Sequence, residues 1–307
     1  MGEDEGREVS RLTVGTPEEW GRFSSRHPLL VDELTSIHQL AESIFGQRVI
    51  QSPEDEVIFS LGLLAHEDFE EIFILAGNGL GFGALKLIRG LYERVVTAAY
   101  LQRHPIEIKA FVDYDVIRMF RNANEARQAF GADALSKDGY ADLKARYEAL
   151  RDKFMKPCKC SPDCSAVVPL YNWTSQGIPS LAGLVDQGLR DRAPLTYYMA
   201  LGETHPSMEA VRCREVDTAE RGDRLLERAR KAHEMADLAI GLAHELLLFN
   251  FEIQLDQFPD ARIATGPALE AAKEALNRIW SVANQQQDRR IQEQPKTAAE
   301  GDSTEIF

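Results

Sequence analysis

Arg89 and Glu93 stand four residues apart in the run Leu87-Ile88-Arg89-Gly90-Leu91-Tyr92-Glu93. On a helix this spacing puts both side chains on one face, a turn apart. A guanidinium braced by a carboxylate can hold an anionic group, and Gly90 between them leaves room for a ligand. Lys86, Arg94 and Thr97 gather on the same polar side. The competing reading is a solvated face, on which such a pair contributes only ~0.3–0.5 kcal/mol. His205 is the other candidate for proton transfer. It precedes Pro206, which favours extended backbone at a helix boundary, from where an imidazole can reach a pocket mouth as acid or base. Thr204, Tyr114 and Tyr198 are candidate hydrogen-bond donors to the same ligand.

Cys158, Cys160 and Cys164 put three thiols within seven residues of a Pro-rich stretch. They could hold a structural Zn²⁺, completed by Cys213, a His or Asp163. Structural zinc sites are usually built from spaced pairs, so plain reduced thiols are the alternative. His66, Glu67, Glu70 and Glu71, with Glu93, are the residue types that di-iron bundles turn inward. No Glu-x-x-His pair accompanies them, and metal catalysis is not expected there. His233 and His244 read as packing or surface groups. Gly79, Gly81, Gly83 and Gly90 lack the strand and the Gly-Lys-Ser/Thr of a phosphate loop.

These residues must be positioned by helices. Residues 1–14 are charged and read as a mobile arm. Thr16 to Glu19 has the form of a capping box that opens a short helix. Further helices are expected over 29–45 and from Ser52-Pro53 to Gly77, with Ser52 as cap and Pro53 at the first position. Gly77-Asn78-Gly79 is a turn, so the following helix, 80–103, should form an antiparallel hairpin with its predecessor. That helix has a broad apolar side: Ala84, Leu87, Ile88, Leu91, Tyr92, Val95, Ala98 and Ala99. Helices over 106–130 and 140–153 follow. Residues 156–178, with several Pro and three Cys, read as an insertion that holds at most a short hairpin. Short segments at 180–189 and 194–201 lead to His205. A long helix opens at Asp217 and runs to Ile253, and a last one spans 265–283 from Thr265-Gly266-Pro267. From 285 to 307 the chain is polar and reads as a disordered tail. The fold class is all-α: one helical-bundle domain, 15–284.

The 307-residue chain has a net charge of −14 and a pI near 5.0. That works against non-specific binding to nucleic acid or to an anionic membrane, while leaving room for a local basic pocket. No run suggests the ~18–20 apolar residues of a membrane span, and residues 1–10 are acidic, unlike a signal peptide. Four Cys with no export signal place the chain in a reducing cytoplasm.

Three segments together resemble an uncharacterised bacterial all-helical family, a domain of unknown function. They are the Leu87–Glu93 helix, the His104-Pro105 start followed by Phe111 and Tyr114, and the stretch from Trp173 through Tyr197-Tyr198 to Thr204-His205. The resemblance covers roughly residues 55–250. It implies that the Arg, Glu, Tyr and His form a set, which moves Arg89 and Glu93 from a solvated stripe into a pocket. Here the Cys cluster is an insertion relative to the family, and Thr204 stands where the family has Ser. In outline the chain is also similar to HEPN ribonucleases, whose Arg-x4–6-His motif is matched only by Arg22 to His27, a stretch before Pro28 that reads as a loop outside the resembling region; the alternative is that Arg89 and His205 meet in space and supply the same pair from separate helices.

Three functions are therefore on the table. The first is a helical protein whose pocket binds an anionic small molecule or nucleotide, with hydrolysis of that ligand as its finer form. The second is an RNA-cleaving effector, which the acidity disfavours. The third is a non-enzymatic interaction or structural module in which Arg89–Glu93 locks packing. A homodimer is left open.

Overall fold

A computed structural model describes residues 17–46, 48–161, 164–205, 208 and 221–293. The expected arm, the capping box at Asp217, Cys213, Asp163 and the chain after 293 lie outside the described residues. Helices α1 (Pro17–Arg26), α2 (Pro28–Phe45), α3 (Pro53–Gly77) and α4 (Gly81–Arg103) come first. A 3-10 turn, Pro105–Glu107, then leads into α5 (Ile108–Phe130), and α6 (Lys137–Leu150) follows. Strands β1 (Met155–Pro157) and β2 (Val167–Pro169) form a small antiparallel hairpin with Lys156 opposite Val168. After α7 (Ile178–Val185) and α8 (Gln187–Ala193), a π-helical turn, Pro194–Met199, leads into α9 (Ala200–Thr204). The long helices α10 (Arg221–Gln257) and α11 (Pro259–Glu293) complete the bundle.

The expected α3–α4 hairpin forms, and local chemistry explains it. Ser52 caps α3 by accepting from the Asp55 amide at 3.0 Å, and Pro53 occupies the first turn. At the other end Leu80 N–H donates to Leu75 O and Gly79 N–H donates to Ala76 O, with Gly79 at φ +73°. These are the paired bonds of a Schellman stop, which requires a left-handed residue and so favours glycine. The chain reverses at once into α4.

Helix α4 is buried along almost its whole length, from Ala84 and Leu85 through Leu91, Tyr92 and Val96 to Leu101. It packs against α3 and α10, with α7 and α9 on a further side. Polar side chains tie these helices together. Asn250 and Gln254, both fully buried on α10, donate to Gly62 O and Ile58 O of α3 at 2.9 Å each. Gln102 donates to Ile253 O at 2.7 Å. Lys231–Gln257 is, contrary to the expectation from sequence, long and apolar enough to cross a membrane; 72% of its most apolar window is buried inside the bundle, as in a core helix.

Three element boundaries differ from expectation. The Arg22–His27 stretch is not a loop but the end of α1 and the α1–α2 junction. The segment expected at 180–189 breaks at Asp186, whose side chain accepts from Leu189 N–H at 3.0 Å and starts a new helix. The last helix starts at Pro259 rather than Thr265: Pro259 supplies the first-turn proline, and Pro267 is carried inside the helix. That helix continues through residue 285 to Glu293.

Candidate functional site

The central helix presents its polar residues to two neighbouring places. On one, Arg89 Nε donates to Glu93 Oε1 at 2.7 Å, and the guanidinium lies over the Tyr197 ring at 4.7 Å from its centroid. A carboxylate and an aromatic face thus fix the orientation of Arg89. On the other, Glu93 lines a cleft of about 290 Å³ together with Gly90, Arg94 and Thr97 of α4. Its other walls come from Leu61 of α3, Phe111 and Arg118 of α5, Ile178 of α7, and Asn172 and Trp173 of the segment after β2.

Each wall has a local cause. Arg94 reaches across to Asp68 of α3, a nearly buried carboxylate with which it forms an ion pair. Burial pulls the Arg94 pKa below its ordinary value while the charge of Glu67 opposes this; a guanidinium stays protonated all the same. A Cβ at Gly90 would stand 3.1 Å from Arg94 Nη1, so the missing side chain gives Arg94 its place. Arg118 is exposed at the mouth, with Asp115 Oδ1 at 2.7 Å. Trp173 is held edge-on against Phe111, ring centroids 5.7 Å apart, with Tyr100 behind it at 5.8 Å. The segment that carries it is anchored by Tyr114 and Arg121, which donate to Leu170 O at 3.2 and 3.0 Å. Two guanidiniums and one carboxylate therefore face an apolar aromatic wall.

The structure does not bring all the expected residues together. Along α4, Arg103 donates to Val185 O, Tyr92 donates to Leu189 O at 2.8 Å, and Arg89 meets Tyr197. The α7–α9 segment thus runs back along α4, and α9 lies beyond the Arg89–Glu93 pair toward the start of that helix. His205 has the extended backbone expected before Pro206, but it is exposed and makes no hydrogen bond or ion pair with Arg89 or Glu93. Thr204 turns its hydroxyl back onto Ala200 O at 2.8 Å. Tyr198 is exposed and packs edge-on against Tyr197. Tyr114 is buried and spent on Leu170, and Lys86 is exposed; neither lines the cleft. What the sequence reading missed is the role of Arg94, Arg118, Asn172 and Trp173. Arg94 and Thr97 were legible as members of the polar face of α4, whereas only the tertiary fold delivers Trp173.

The Arg-x4–6-His match does not form a free pair. Arg22 pairs with Glu19 on its own helix. His27 is buried, with Nε2 2.7 Å from Asp237 Oδ1, and Arg26 donates to the same oxygen at 3.0 Å. Burial raises the Asp237 pKa, but His27 and Arg26 outweigh it and hold the carboxyl below its usual value. These residues fasten α1 and α2 to α10.

The Cys stretch is the connection of the β1–β2 hairpin. Cys158 N–H donates to Ala166 O at 2.8 Å, and the sulfurs of Cys158, Cys160 and Cys164 lie within 4.8 Å of one another. Hydrogen bonds from Cys160 and then Cys164 hold the Cys158 thiol below its ordinary pKa, while bonds with Cys158 and Cys164 raise that of Cys160. Three convergent thiols, one inclined to ionise, could hold a metal ion.

No curated protein and no solved structure matches the chain. A family model does match, over residues 55–222, which takes in α3 to α9 and therefore every wall of the cleft and the Cys hairpin. The chain belongs to that family, DUF5677, a family of unknown function.

Proposed function

We propose that this protein binds an anionic small molecule or nucleotide in the cleft between α3, α4, α5 and the Trp173 segment. The observation that carries the reading is the pairing of two guanidiniums, Arg94 and Arg118, with the Trp173–Phe111 wall in one recess. Guanidiniums grip phosphate or carboxylate through directed donors, and an aromatic wall takes the flat apolar part of the same molecule. Arg89 acts at one remove, by orienting Glu93. Hydrolysis is the finer form of this reading: Glu93, the carboxylate on the cleft, would take the proton of a water attacking the bound ligand. His205 stays a candidate partner only through movement of the chain after α9. RNA cleavage finds less support: His27 is buried against Asp237, and Arg89 pairs with Glu93 and Tyr197 rather than with His205. A purely structural role for Arg89–Glu93 is disfavoured by the cleft beside it. A cytoplasmic location, and a structural zinc on Cys158, Cys160 and Cys164, belong to the same proposal.

The direct experiment is to denature purified protein and identify any released small molecule by mass spectrometry, alongside a thermal-shift panel of nucleoside monophosphates and dicarboxylates. An anion that raises the melting temperature of native protein and loses that effect in Arg118→Ala supports the reading. Absence of any anion-specific shift removes it.

A further inference from the structure

His66 and Glu70 are four residues apart on α3, roughly half a turn round that helix from the Leu61–Asp68 face that borders the cleft. There they meet His38 of α2. His38 Nδ1 and His66 Nε2 each lie 3.6 Å from Glu70 Oε1, and one ligand atom from each of the three residues falls within 4.8 Å of the other two. At 3.6 Å neither imidazole is hydrogen-bonded to the carboxylate, since such bonds cluster at ~2.7–3.2 Å. Three Lewis bases thus face a common point without a shared proton. Around a tetrahedral ion with bonds of ~2.0–2.1 Å the donor atoms stand ~3.4 Å apart, so small side-chain rotations close the site.

Aromatic packing holds His66 in place. His66 is held by a stacked Phe45 ring at 6.1 Å and by Phe251 at 6.2 Å, and its Nδ1 is buried with no partner. His38 and Glu70 are about half exposed, so the side of the site away from Phe45 and Phe251 opens to solvent.

We propose that His38, His66 and Glu70 bind one divalent first-row transition ion, with Zn²⁺ as the reference, leaving an open coordination position. Two imidazoles and one carboxylate select against Mg²⁺ and Ca²⁺, which take oxygen donors, and three protein ligands leave the fourth position for water or substrate. The site is independent of the anion cleft and of the Cys hairpin, and it stands or falls without them.

The test uses the full chain with Cys158, Cys160, Cys164 and Cys213 changed to Ser, titrated with Zn²⁺ against a chromophoric chelator. One equivalent is expected to bind, and Glu70→Gln and His38→Gln, at exposed positions, should each weaken it by at least ~10-fold with an unchanged far-UV spectrum. If the Cys-free chain does not fold, Co²⁺ titration of the native chain separates the sites: a visible band without sulfur-to-cobalt charge transfer should disappear in Glu70→Gln. Lack of stoichiometric binding apart from the thiols, or binding indifferent to His38→Gln and Glu70→Gln, overturns the proposal.

Discussion

Arg94 shows how far single residues could be read from the chain. Its place on the polar face of α4 is a matter of counting at ~100° per residue, but its partner Asp68 sits on another helix and carries no sequence mark. Arg89 and Glu93 pair as their spacing requires, because an i,i+4 contact is local. His205 does not join them, because its position depends on how the chain returns along α4. His38, likewise, reaches His66 and Glu70 only through helix packing. The same scale yields a pH prediction. His244 is fully buried beside Phe69, its two ring nitrogens lack partners, and burial pushes its pKa down to about 4. In the unfolded chain it titrates near ~6.5, so the folded state binds fewer protons between these values. Stability is therefore complete above about pH 6.5, falls as pH drops toward 4, and levels off below, a loss of about 3 kcal/mol. Urea denaturation at pH 7, 5.5 and 4.5 should show this slope, and His244→Leu should flatten it; equal slopes would remove His244 as the cause.

Among the elements, α3 and α4 were the most legible, since cap, turn and apolar period agree over both. The final helix was not. Thr265-Gly266-Pro267 carries the local marks of a start, but packing of Leu269, Ala272 and Ala275 into the core continues a helix already begun at Pro259. Gly81 marks where α4 crosses α10: a Cβ there would stand 2.0 Å from Ala232 O and 2.3 Å from Ala236 N. Backbone cannot yield as a side-chain tip does, so Gly81→Ala should cost about 2–3 kcal/mol by forcing the helices apart. Gly83→Ala, whose nearest neighbour is a Leu75 methyl at 3.7 Å, is the control. It should be neutral or slightly stabilising in the same denaturation series, and a Gly81→Ala variant equally stable would refute the tight crossing. At the β1–β2 hairpin, a metal on Cys158, Cys160 and Cys164 predicts that a chelator makes residues 156–169 protease-sensitive while the helices stay resistant. Unchanged protection with metal-free protein would leave plain thiols.

For the whole molecule, helical periods, caps and turns pointed correctly to an all-α chain, and its net charge of −14 is the background against which the two guanidiniums of the cleft act. An acidic surface repels anions in general, so an anionic ligand must be held by specific guanidiniums against that background, and its affinity should fall as salt rises. The measurement that bears most directly on this claim is equilibrium binding of nucleoside monophosphates to native protein, Arg118→Ala and Trp173→Leu by calorimetry at low and physiological salt. Arg118 is exposed at the cleft mouth, so its removal leaves the fold intact. The cleft account predicts saturable one-to-one binding that weakens about 10-fold or more in Arg118→Ala, as loss of a charge-assisted contact worth about 1.5–3 kcal/mol requires, and that also weakens in folded Trp173→Leu through loss of the aromatic wall. No saturable binding, or binding of equal strength in native protein and Arg118→Ala, would contradict it.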